Sequence, residues 1–124
     1  MFTLTNTTTL KIPRTSFQAI KDAALGKKYH LTVSVVSASH IKKLNLMYRN
    51  KNEATDILSF PLSATEGEIY MCPSESRKEA KKFDRSFENF LPFLFIHGCV
   101  HLIGHDHGST MGHIEAKLRK KFAV

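Results

Sequence analysis

Four of the chain's seven histidines fall in one eleven-residue window, His97-Gly-Cys-Val-His101-Leu-Ile-Gly-His105-Asp-His107. The spacing constrains the backbone. His97 and His101 are four residues apart, so an α-helix projects both imidazoles from one face. Gly104 accepts the left-handed conformation that ends a helix, and the chain can then turn back and bring His107 to the same point. Neutral imidazole nitrogens at about 2.0–2.1 Å suit zinc, and three protein ligands leave one position for water. One zinc ion per chain on His97, His101 and His107 is therefore expected. An open fourth position permits chemistry; a fourth protein ligand would make the metal structural.

The same offsets, with the same glycine, occur in the metzincin proteases, His-Glu-x-x-His-x-x-Gly-x-x-His. The residue after the first histidine differs. The protease has its general-base glutamate there, whereas this chain has Gly98. The metal geometry is kept and peptide hydrolysis by that route loses its proton acceptor. Asp106 either orients a ligand or handles a proton, or it is a turn residue after the helix. His105 either supports the ligands or lies on the surface. Cys99 sits about 200° around the helix from His97, so packing rather than metal binding is expected of it.

The remainder of the 124 residues reads as one domain, 1–124, with 42% apolar and 23% charged residues, the balance of a soluble globular protein. Residues 2–5 alternate as an edge strand. Pro13-Arg-Thr-Ser16 opens a helix with Phe17, Ile20 and Ala24 on one face and Gly26 as its stop. Leu31–Val36 alternates and is β-branched, hence a strand. Ser37 or Ser39 caps a helix carrying Ile41, Leu44 and Tyr48 on one side, followed by a polar loop from Arg49. Asp56–Phe60 reads as a buried strand closed by Pro61, and Glu68–Met71 as its hairpin partner after Gly67. Pro73 and Ser74 open a lysine-rich helix to about Phe83; further helices run from about Ser86 to Ile103 and from Met111 to Phe122. Strands before helices predict an α+β domain with a small mixed sheet packed with helices, and the zinc site on a helix followed by a turn.

Charge and composition narrow the setting. The net charge of +7 favours a polyanionic partner, nucleic acid before an anionic membrane. Lys78, Lys81, Lys82 and Arg85 can form one basic face, and Lys117, Arg119, Lys120 and Lys121 another; on exposed helices such residues are also ordinary solvated positions. Phe90, Phe93 and Phe95 can stack on bases, but their apolar helical spacing favours the core. The longest apolar run is too short to span a bilayer, and two cysteines make no disulfide framework. The first residues lack the basic start and apolar run of a signal peptide. A reduced, cytoplasmic setting and no membrane association are the expectation.

The motif His97-Gly-x-x-His101-Leu-x-Gly-x-Asp106-His107 resembles the signature of the YbeY endoribonucleases, the bacterial rRNA maturation factors. A second block, Leu44-Asn-Leu-Met-Tyr48-Arg49 through Thr55-Asp56-Ile57-Leu58-Ser59-Phe60-Pro61, is similar to that family's segment upstream of the metal motif. Gly67-Glu-Ile, Met111 and Glu115 extend the similarity, which runs from about Leu44 to Leu118. Pro92 stands inside the motif helix and predicts a kink or a late start; Glu68 replaces the family's aspartate. The resemblance implies a metal-dependent single-strand endoribonuclease with zinc on His97, His101 and His107. It implies rRNA, the ribosome or the pre-ribosomal small subunit as partner, a role at the 3′ end of 16S rRNA, and ribosome quality control. It also points to Arg49 as a functional arginine in the substrate groove, where its planar fork can pair with a phosphate; Arg49 and Asp106 are thus the candidate catalytic residues. Two other readings stand beside it: a non-catalytic ribosome-binding module with a structural zinc, and a zinc amide or ester hydrolase, against which Gly98 argues.

Overall fold

The computed structural model describes residues 1–12, 17–103 and 109–124. Among the described residues nine elements follow one another: β1 (Phe2–Asn6), α1 (Phe17–Leu25), β2 (His30–Val35), α2 (Ala38–Arg49), β3 (Ile57–Ser63), β4 (Glu66–Met71), α3 (Pro73–Lys82), α4 (Phe87–Leu102) and α5 (Ser109–Lys121). The strands form one sheet in the order β1-β2-β4-β3. β1 and β4 lie parallel to β2, while β3 and β4 form the expected antiparallel hairpin. The architecture is α+β with a mixed sheet.

Local chemistry explains most boundaries. Ser37 caps α2 by accepting a hydrogen bond from the His40 amide, and Ser86 caps α4 by accepting from Asn89, each satisfying an amide the first turn leaves unpaired. Gly26 follows α1 with φ +92°, a backbone conformation that costs glycine little. Pro73 opens α3 in the first turn, where its missing N–H is not needed. The Pro13–Ser16 stretch expected to open α1, and the Gly104 helix stop, lie outside the described residues.

Strand alternation sorts the side chains into two layers. Leu31, Val33, Ile69 and Met71 face the main core, formed with α1, α4 and α5. Leu58 joins Val36, Ile41 and Cys72 in a smaller cluster against which Leu44, Phe60 and Tyr70 pack. α4 is the centre of the molecule. Eleven of its sixteen residues are buried, and it packs on α1, α3, α5, β3 and β4. A helix buried on nearly all sides need not be amphipathic, which accounts for its unbroken Phe-Leu-Ile character.

Three expectations change. Pro61 does not end β3: the strand runs on to Ser63, with an irregular register after Pro61. β3 is an edge strand, where a missing donor is tolerated, and of Asp56–Phe60 only Leu58 is buried. Tyr48 is exposed rather than buried with Ile41, resting its ring 5.2 Å from Phe60. Pro92 does not delay α4, which begins five residues before it and continues beyond it.

Candidate functional site

α4 sets His97 and His101 one turn apart, and their rings meet edge to face with centroids 4.4 Å apart. The two Nε2 atoms lie 2.9 Å from one another. His97 Nδ1 donates to Glu115 Oε1 on α5 at 2.7 Å. A carboxylate only accepts, so this bond places the proton of a neutral His97 on Nδ1 and leaves a lone pair on Nε2; in the contact between the rings, His101 Nε2 then donates. Arg119, one turn after Glu115, stands 3.6 Å from its other oxygen. Met111 and Leu118 anchor α5 in the core, with Ile114 packed beside them. That packing sequesters Glu115, whose side chain is 14% exposed, while His97 keeps 42%. The carboxylate holds the ring from behind and the ring opens forward.

In front of the pair is a cavity of about 480 Å³ whose lining includes His97, His101, Arg49, Asp56, Ser59 and Glu79, with Phe83, Phe90 and Phe93 on the α3–α4 side. Arg49 also lines a neighbouring cavity of about 350 Å³, which shares Asp56, Ile57 and Glu79 with the first. Arg49 is the last residue of α2, not a loop residue, and Asn50 caps the helix at φ 57°. A cation is favoured at a helix C-terminus by the exposed carbonyls. Burial raises the Asp56 carboxyl above its ordinary range, and the nearby Glu79 carboxylate adds to the rise.

Gly98 explains how the helix reaches the sheet. A Cβ there would lie 2.6 Å from Ile57 Cδ1, 3.1 Å from Ser59 Oγ and 3.3 Å from Ile69 Cδ1. Ser59 Oγ donates to the Gly98 carbonyl at 3.2 Å. The position that holds the protease glutamate is thus the close contact between α4 and the β3–β4 hairpin, with no room for a carboxylate. Cys99 and Cys72 are free thiols and buried. Burial pushes the Cys99 thiol strongly up, so it stays protonated and unreactive.

The structure therefore brings His97, His101 and Arg49 to one cavity. His107, Asp106 and His105 lie outside the described residues. Phe95 belongs to the core as expected, packing on Phe2 and Phe17; Phe90 is buried but also lines the cavity, and Phe93 is only half-buried. The lysines of α3 are less free than their number suggests: Lys78 pairs with Glu75 at 3.3 Å and Lys82 with Glu79 at 2.9 Å. Sequence reasoning passed over Asp56, Glu79 and Phe83 as site residues and gave Glu115 no role. Glu115 carried a signal: it is a carboxylate four residues from Met111 and three from Leu118, on the apolar side of its helix.

The two described donors, His97 and His101, suit a zinc ion. Tetrahedral coordination at about 2.0–2.1 Å separates two nitrogens by roughly 3.3 Å, a few tenths of an ångström wider than the observed pair. A carboxylate on the remaining nitrogen is the usual support of a metal-bound imidazole.

Fold and site together define a class: a small α+β domain whose central helix presents a carboxylate-backed histidine pair to a groove bordered by an arginine. A family profile described as endoribonuclease YbeY matches residues 3–122, and the chain belongs to the YbeY family. A Thermotoga maritima protein named endoribonuclease YbeY is 42% identical over 80 residues, covering 63% of this chain and 53% of that protein. A Staphylococcus carnosus protein of the same name is 34% identical over 118 residues, covering 86% and 77%. A solution structure of a Thermotoga maritima protein matches with a TM-score of 0.67 at 27% identity, over 98% of this chain and 89% of the other. The chain spans about half the length of the Thermotoga relatives it matches.

Proposed function

We propose that the chain is a zinc-dependent endoribonuclease acting on single-stranded RNA in the cytoplasm, with maturation of the 16S rRNA 3′ end and ribosome quality control as its setting. The observation that carries this reading is the convergence of His97 and His101 Nε2, 2.9 Å apart, on a cavity that Arg49 also lines. His97, His101 and His107 hold the ion, which when bound supplies Lewis-acid polarisation of a phosphoryl oxygen and acidifies water. Arg49 grips a phosphate through two parallel N–H donors, and from the end of α2 it lines the same cavity as the histidines. Asp106 or Asp56 handles the proton; Asp56 combines a raised carboxyl with a place on the cavity wall. The amide-hydrolase reading loses support at Gly98, where packing excludes a base. The structural-zinc reading does not account for an arginine facing the same cavity.

Zinc content and cleavage of single-stranded RNA, measured on the same preparations, test the division of labour. Arg49→Ala is expected to keep its zinc and lose roughly a hundredfold or more in cleavage rate, the scale of a lost preorganised charge contact. His97→Ala is expected to lose both. Wild-type cleavage by Arg49→Ala removes the arginine from the mechanism, and loss of zinc in that variant makes it a support of the metal site instead.

A further inference from the structure

The bend between α3 and α4 leaves Phe83 with 55% of its surface in water, although it touches two other aromatic rings. Its centroid lies 5.6 Å from that of Phe90 with the planes at 27°, and Phe90 lies 5.6 Å from Phe93 at 28°. Phe83 and Phe93 close the triangle at 5.9 Å. Phe90 is 1% exposed and counts as core, but a ring that is more than half wet adds little to the core. Two guanidiniums flank the cluster: Arg85 sits 4.2 Å over the Phe93 ring and Arg119 5.4 Å from it. Both are held in place, Arg85 by a hydrogen bond to Asn89 and Arg119 by Glu115. All three rings line the same cavity as His97 and His101.

We propose that Phe83, backed by Phe90 and Phe93 and flanked by Arg85 and Arg119, is a stacking subsite for one nucleobase of a single-stranded nucleic acid. The proposal rests on the endoribonuclease reading. An exposed aromatic face takes a flat π-system, and every base offers one. The neighbouring guanidiniums supply positive charge where the base's own phosphate would lie. A protein side chain would use the ring but leaves Arg85, which has no carboxylate partner among the described residues, without an anion. The Arg119–Glu115–His97 chain of contacts ties this wall to the histidine pair, so a base seated on Phe83 fixes the backbone relative to the site where the strand is cut.

The test uses the whole zinc-loaded chain and a fluorescent single-stranded RNA of about six nucleotides, with a strand of the same backbone lacking bases as comparison. Binding is read by anisotropy, strand integrity is checked on a gel, and cleavage of unmodified RNA is measured in parallel. Wild-type protein is expected to bind the base-bearing strand about tenfold or more tighter than the abasic one. Phe83→Ala should remove that preference without weakening abasic binding, and Phe83→Trp should retain it. Equal affinity of wild type and Phe83→Ala for the base-bearing strand overturns the subsite and leaves the face to a protein partner. So does an equal loss on both strands. A wild-type chain that cleaves RNA without preferring bases sinks the stacking subsite alone; one that neither binds nor cleaves sinks the endoribonuclease reading with it.

Discussion

A neutral imidazole carries one proton on two nitrogens, and the 2.7 Å contact from His97 Nδ1 to Glu115 decides where it sits. The His97 Nε2 lone pair then points toward His101 Nε2, so the His97 ring does not have to change tautomer before it can bind a metal. Removing the carboxylate frees both the tautomer and the ring angle. Glu115→Ala is therefore expected to weaken zinc binding by about ten- to a hundredfold, the usual cost of losing such a partner, in a chain that stays folded. Glu115→Gln, which still offers an acceptor oxygen, should lose less. Competition with a chelator of known affinity measures both, and unchanged affinity in Glu115→Ala would show that the carboxylate does not orient the ligand.

At the scale of elements, the seat of α4 on the β3–β4 hairpin decides what chemistry the helix can carry. Gly98→Glu, which restores the protease pattern, forces a carboxylate against Ile57 and Ile69. Overpacking and a buried charge together should cost more than about 3 kcal/mol, seen as a lower urea midpoint and no gain of peptidase activity. Gly98→Ala should cost less, because its methyl meets chiefly the movable tip of Ile57. A stable Gly98→Glu chain would mean that the helix can lift off the hairpin freely. The capped helices, the hairpin and the histidine pair were legible in the sequence because each depends on neighbours within a few residues: Ser37, Ser86, Gly26 and the four-residue spacing carry their own geometry. Pro61 misled because an edge position is a property of the sheet, not of the strand. The Glu115 contact crosses eighteen positions between two helices, and the exposure of Phe83 depends on how α3 meets α4; no local pattern encodes either.

For the molecule as a whole, the count of 18 lysines and arginines overstates the usable positive surface. Lys78 and Lys82 are exposed but paired along their own helix, as Arg119 is with Glu115, whereas Arg49 lines the groove and Arg85 sits over the Phe93 ring of its aromatic wall. Among the described residues no helix is long and apolar enough to cross a membrane. RNA affinity should fall with salt through counterion release, and each phosphate contact removed should flatten the log–log slope by about 0.7. Arg85→Ala should produce such a change. Lys78→Ala with Lys82→Ala should change the slope less, because the lysine charges are already countered by glutamates. A larger effect from the lysine pair would place the strand along α3 instead. The position of α4 has one more effect, on time. The two imidazoles are borne on a helix that five other elements hold, so their backbone positions are tied to the core rather than to a loop. The spacing of these two backbone positions is therefore expected to last as long as the fold does, on the timescale of global unfolding rather than of local fraying.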